Sequence, residues 1–224
     1  MAARIKLADR KLPDYTIGEE TMNMVTHIVG GGLGVLVLVL CILQTIRSQR
    51  ILDLVGACIY GATMIILYTI SSVYHGLKPS MGKKVMQVID HCAIYFLIAG
   101  TYTPILLTAF VPNAPAIGWG LLAGEWILGI TACTLTAIDL KKYNVLSMIC
   151  YVAMGWGIIL FLPLALELLT TAGFGWLLAG GIVYTIGAVI YGIGAKVRWM
   201  HSVFHIFVVA GSFLQFLAIL LYIL

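Results

Sequence analysis

Apolar side chains run along this chain in long blocks broken by polar segments of a few residues. The stretch LGVLVLVLCIL at residues 33–43 shows neither the polar face of a soluble amphipathic helix nor the period-two alternation of a membrane barrel strand. Cutting the chain at its polar punctuation gives seven segments: about Met22 to Ile46, Ile51 to His75, Val85 to Phe110, Ala116 to Ile138, Val145 to Leu169, Phe174 to Gly194 and Met200 to Leu224. Each is long enough to cross ~30 Å of hydrocarbon as a helix rising ~1.5 Å per residue. The pattern therefore predicts an all-α fold, a bundle of seven transmembrane helices in a single membrane domain over residues 1–224. The connections RSQR, GLKPSMGKK, VPNAP, DLKKYN, TTAG and AKVRW leave no room for a soluble module.

Composition adds weight to this reading, since 62% of the 224 residues are hydrophobic and only 10% are charged. No basic cluster suggests a nucleic-acid partner. Arg4, Lys6, Arg10, Lys11, Lys78, Lys83, Lys84, Lys141, Lys142, Lys196 and Arg198 fall on one side of the seven spans, and only Arg47 and Arg50 on the other. By the positive-inside rule, eleven against two places the N-terminus in the cytoplasm and the C-terminus outside a multi-pass cell (inner) membrane protein. Residues 1–20 are expected to stay attached as a short basic arm, because no apolar core of a cleaved signal follows the first charges. Cys41, Cys58, Cys92, Cys133 and Cys150 lie scattered in apolar segments without metal-type spacing, so they read as buried free thiols.

Local signals refine the spans. Thr16 and Glu19 have capping-box spacing, which starts the first helix a turn before the membrane. Pro79 and Pro112 are expected in loops, whereas Pro104 and Pro163 are expected to kink their spans. The pairs Gly30 with Gly34 and Gly120 with Gly124 offer faces for close helix packing. Trp119 and Trp199 have the placement of interfacial anchors. No internal repeat is visible.

Ionisable groups in a span are costly, and their depth narrows their use. His75 closes the second span, Asp90 and His91 open the third, and His201 and His205 open the seventh, all near the same boundary. His201 and His205, four residues apart on a helix, face the same way. His-x-x-x-His alone is a weak signal, because an interfacial histidine often only hydrogen-bonds. The convergence of His75, His201 and His205 at one depth, with Asp90 beside them, points instead to three metal ligands and an open position. Imidazole ligands without a dithiolate favour zinc over copper(I) and exclude iron and nickel less firmly. Ser71 is four residues before His75, on the same face, either as an oxyanion or supporting donor or simply bonded to its own helix. Glu20, Asn23 and His27 form one inward stripe that supports the site or its entrance, or else builds a structural network. His91 is rotated ~100° from Asp90 and expected to face another neighbour. Glu125 lies deep in span four without an assigned role, and Glu167 near the outer interface.

Taken together, EETMNMVTH, SSVYHGL, DHCAIYFLIAGTYTP, GGIVYTIGAVIY and WMHSVFH resemble, in order and spacing, the bacterial haemolysin III branch of the progestin and adipoQ receptor family. The likeness runs from about Glu19 to the C-terminus. It implies a seven-helix fold with a cytoplasmic-side zinc on His75, His201 and His205, the Ser-x-x-x-His pattern on Ser71 and His75, and a water-holding aspartate at Asp90. The related alkaline ceramidases imply zinc-dependent hydrolysis of a lipid amide or ester, with Asp90 and Ser71 as the catalytic pair and a membrane lipid as substrate. A non-enzymatic class stays open beside it: a receptor-like or haemolysin-type membrane protein in which zinc is structural. A pore is disfavoured by the nearly uncharged outer halves of the spans. Neither the substrate nor any protein partner can be named from the sequence.

Overall fold

The computed structural model describes residues 6–194 and 197–224, all helix, turn or extended linker among those residues, with no strand. Arg4 and Lys196, two of the basic residues counted above, lie outside the described residues. Among the described residues, seven helices are long and apolar enough to cross a membrane: α1 Ile17–Ser48, α2 Ile51–Gly76, α3 Met81–Asn113, α4 Pro115–Ile138, α5 Asn144–Leu168, α6 Thr171–Gly194 and α7 Met200–Tyr222. The pattern of apolar blocks thus places all seven.

α3 is the central helix. In its most apolar window 72% of residues are buried, against 17% in α5 and in α6. It packs on α2 and α4 and touches α5 and α7, while α1 lies against α2 and α7, and α6 lies along α7. α5 meets α6 only sparsely. Large apolar side chains such as Val29, Leu43, Ile127 and Ile149 point outward, as a lipid-facing surface requires.

Small residues set the tightest approaches. A Cβ on Gly30 would come within 2.5 Å of the Tyr68 ring, and one on Gly34 would meet Ile65, so the first glycine pair does seat α1 on α2. The second expectation fails: nothing lies within 4 Å of a Cβ on Gly120 or Gly124, and that face of α4 is left unpacked. The closest approach falls on a glycine outside either motif. A Cβ on Gly100 would be 2.0 Å from the Thr63 hydroxyl oxygen, which fixes the α2–α3 distance.

The prolines behave differently from one another. Pro104 sits in α3, and immediately beyond it the helix widens into a π turn over Leu106–Phe110. Pro112 is in the last turn of α3, Val111–Asn113, rather than in a loop. The carbonyl it cannot bond four residues back, that of Thr108, accepts the Arg50 guanidinium at 3.2 Å. α5 breaks at Trp156, before Pro163, into a 3-10 stretch Gly157–Phe161. Tyr102 ties the break together, donating to the Gly155 carbonyl and accepting from the Ile158 N–H, both at 3.1 Å. Glu125 is buried against Gly157 in that break. Glu167 is exposed near the end of α5.

At the opposite end of the bundle from Glu167, α1, α3 and α7 begin and α2 finishes. The Thr16 capping box forms as its spacing predicts, with the Glu19 N–H donating to Thr16 at 3.2 Å and the Thr16 N–H to the Glu19 carboxylate at 2.9 Å. The second Glu19 oxygen accepts the Trp199 N–H at 2.7 Å, which holds the left-handed residue (φ 67°) that opens α7. The Trp199 indole packs near Gly18 with about half its surface exposed. The arm folds back over this end: Arg10 donates to the Ile138 carbonyl at 3.3 Å, and Lys84 bonds the Ala8 carbonyl. All five cysteines are free thiols; Cys41, Cys92 and Cys150 are buried, and Cys58 and Cys133 only partly so.

Candidate metal centre

Two helices supply the centre from one level. His75 lies in the last turn of α2, and His201 and His205 in the first two turns of α7, where a four-residue step returns a side chain to the same face. One ring nitrogen from each of the three lies within 4.8 Å of the others. His75 and His205 are each 2% exposed, and His201 is partly buried.

The outward-facing nitrogens are already committed. His75 Nδ1 is 2.6 Å from Glu20 Oε2, with the Asn23 amide 3.4 Å away, and His205 Nδ1 is 3.3 Å from the Asn23 carbonyl oxygen. Acceptors at both positions place the protons on Nδ1 and leave the Nε2 lone pairs free. His75 Nε2 is indeed buried without a hydrogen-bond partner among the described residues, and His205 Nε2 faces His201 Nε2 at 3.1 Å. An ion holding nitrogens at ~2.0–2.1 Å in a tetrahedron sets them about 3.3 Å apart, a spacing these two nitrogens nearly match and that a hydrogen bond between the rings also gives. Three converging imidazoles, two of them with Nδ1 turned to an acceptor, can hold a metal ion.

A charged network braces the ligands. Glu20 Oε1 is 2.7 Å from Lys83 Nζ, which also donates to the Leu77 carbonyl at 2.9 Å and lies 3.4 Å from that of His75. The sequence pattern counted Lys83 as a loop lysine, but it is buried at 3% exposure inside α3. Ser80, whose hydroxyl accepts the Lys83 N–H at 3.2 Å, was the available signal: an N-cap places Lys83 in the first helical turn. Tyr15 was also missed. Its ring stacks on His201 with centroids 4.9 Å apart, and burial beside Tyr191, Glu20 and other acidic groups pushes its phenol well above the ordinary range, so it covers the centre as a neutral ring. Only its position just before the capping box hinted at such a contact.

Asp90 and Ser71 are next to the centre, on α3 and α2, and line the same cavity as His201 and His205. The Ser71 hydroxyl approaches the Asp90 carboxyl without a hydrogen bond of normal length. His91 faces α6 as its rotation predicted, with Nε2 3.4 Å from the Tyr191 hydroxyl, yet it also borders this cavity. The space amounts to about 160 Å³ and runs from the imidazoles between apolar side chains such as Leu97, Ile98, Val152 and Val208 toward Gln215. Of the stripe on α1, Glu20 and Asn23 reach His75, while His27 stacks on His205 with centroids 3.8 Å apart and planes within 15°.

Seven apolar helices around a three-imidazole centre that continues into an apolar cavity define a multi-pass membrane protein with a potential metal site at one end of the bundle. The chain belongs to the family described as Haemolysin-III related, whose profile matches residues 15–216. It is 36% identical to "Hemolysin-3" of Bacillus cereus over 208 residues, 93% of each chain. It is also 36% identical to "Hemolysin-3 homolog" of Bacillus subtilis (strain 168), over 93% of this chain and 96% of that one. A more distant likeness, 26% over 228 residues, joins it to "Adiponectin receptor protein" of Drosophila melanogaster, covering 90% of this chain and 50% of the receptor.

Proposed function

We propose that the protein is a zinc-dependent hydrolase that cleaves a lipid amide or ester inside the membrane, with its centre on the cytoplasmic side. The observation that carries this reading is the continuity of the site: His201, His205, Asp90 and Ser71 line the same cavity, whose surface is mostly apolar. A lipid can lay its chain in that cavity and bring its carbonyl to the imidazoles. The excess of lysine and arginine at this end agrees with the orientation.

His75, His201 and His205 would hold the ion, and Glu20 and Asn23 would keep the ring tautomers fixed. A zinc ion bound there would acidify a water to a pKa near ~7 and polarise the scissile carbonyl. Asp90 accepts the proton of the attacking water and returns it to the leaving nitrogen or oxygen. Ser71, whose buried hydroxyl makes no hydrogen bond of normal length among the described residues, would donate to the oxygen that gains charge. The apolar cavity keeps bulk water from the acyl chain.

The test uses purified protein in lipid, assayed for fatty acid release from long-chain N-acyl and O-acyl lipids, with zinc measured by elemental analysis. Asp90→Ala should retain zinc and lose turnover by about 10²–10⁴-fold, the usual contribution of a general base. His201→Ala with His205→Ala should lose the metal. Unchanged turnover in Asp90→Ala sinks the catalytic assignment. A wild type that binds zinc and lipid but turns over neither class would leave the alternative, a receptor-like protein with a structural zinc, for which the bracing of His75 by Glu20 and Lys83 already speaks.

A further inference from the structure

His27 is not needed by the centre as described, yet its placement is costly. Its ring is 4% exposed, and neither ring nitrogen has a hydrogen-bond partner among the described residues. It is not one of the three histidines whose nitrogens converge. Instead it lies parallel to the His205 ring, with centroids 3.8 Å apart, and meets the Tyr68 ring edge-on at 5.0 Å. Two aromatic contacts fix the plane of the imidazole, and the ring borders the cavity that starts at the metal centre. Along α1, His27 comes one turn after Asn23, about 6 Å further into the bundle than the residues bracing His75. It therefore stands where the polar centre gives way to the apolar part of the cavity.

Both nitrogens of a buried imidazole left unpaired would be a standing loss of stability, and a bound carbonyl oxygen that accepts from the ring N–H recovers part of it. We infer that His27 is the hydrogen-bond partner of the ligand's polar head, selecting acyl lipids whose chain ends in a carbonyl or carboxyl group over plain hydrocarbon of the same length. The inference deepens the lipid-hydrolase reading and rests on it. His27 is a positioning residue: it sets the depth at which the chain stops and so brings the carbonyl level with the three converging nitrogens. The parallel stack on His205 lets one residue register the ligand against a ring of the centre itself.

The experiment measures binding of oleate and of 1-octadecene to the zinc-loaded protein in nanodiscs, with zinc content checked in every sample. Wild type should prefer oleate. His27→Phe, which keeps the stacked ring and removes both nitrogens, should lose about tenfold in affinity for oleate and none for 1-octadecene, the size expected for a hydrogen bond left unmade in a dry site. His27→Gln should recover most of the preference. In the wild type, the ¹⁵N resonances of the His27 ring should move on addition of oleate, a readout that needs no variant to fold. Unmoved resonances, or a His27→Phe protein that keeps the preference with its zinc, overturn the assignment and leave the hydrolase reading standing. A wild type that takes up no oleate removes both.

Discussion

Glu20 offers the sharpest perturbation, because one carboxylate serves two partners whose losses can be told apart. Its Oε2 is 2.6 Å from His75 Nδ1 and its Oε1 2.7 Å from Lys83 Nζ. Glu20→Gln keeps the size and removes the charge. A carboxylate behind a ligating imidazole fixes the tautomer and raises ligand basicity, and losing it typically weakens metal binding 10–100-fold, about 1.4–2.7 kcal/mol. The second loss is stability. The Lys83 side chain is 4% exposed and would be left without its carboxylate partner. Breaking a fully buried pair costs about 3–5 kcal/mol. Here the 20% exposure of Glu20 and the carbonyls that still accept from Lys83 reduce the expectation to about 2 kcal/mol. Lys83→Met in the same chain should return most of that stability and none of the metal affinity. Thermal unfolding in detergent follows the first quantity, and competition with a chromophoric zinc chelator the second. If the double variant binds zinc as tightly as wild type, the carboxylate acts only by neutralising Lys83 and the tuning of His75 is refuted.

Two further outcomes follow from packing. Gly100→Ala would drive a methyl into the Thr63 hydroxyl and should cost about 1–3 kcal/mol of stability, while Gly120→Ala, with open space around it, should be neutral or gain up to about 1 kcal/mol from helix propensity. Equal unfolding temperatures for the two would contradict the packing described for α2 and α3. Tyr15→Ala should uncover His201 and speed chelator stripping of the metal about 2–10-fold, the worth of one ring stack, whereas Tyr15→Phe should leave it unchanged. Identical stripping rates for wild type and Tyr15→Ala would show that the arm does not cover the centre.

The blocks of apolar residues made the seven helices legible, because a membrane span has no alternative way to satisfy its backbone. Helix ends followed where a local motif carried them, as at Thr16. They failed where the determinant was distant: Pro112 continues α3 because Arg50, on the preceding helix hairpin, takes up the Thr108 carbonyl. The two glycine pairs had equal local standing, yet only Gly30 and Gly34 meet a neighbouring helix. Spacing along a helix names a face and leaves its partner unspecified.

For the centre, residue spacing was enough to set the depth of His75, His201 and His205, because each span counts its residues from a boundary at a fixed rise, and it put His201 and His205 on one face. That α2 and α7 bring those faces together, with the α1 stripe closing against both so that Glu20 meets His75 and His27 stacks on His205, is a matter of helix packing. It also turned Lys83 from a surface charge into the partner of Glu20 and laid Tyr15 over His201. The reason is physical: hydropathy and periodicity are properties of one helix in lipid, whereas which helices become neighbours depends on side-chain shape and on where buried polar groups find their partners.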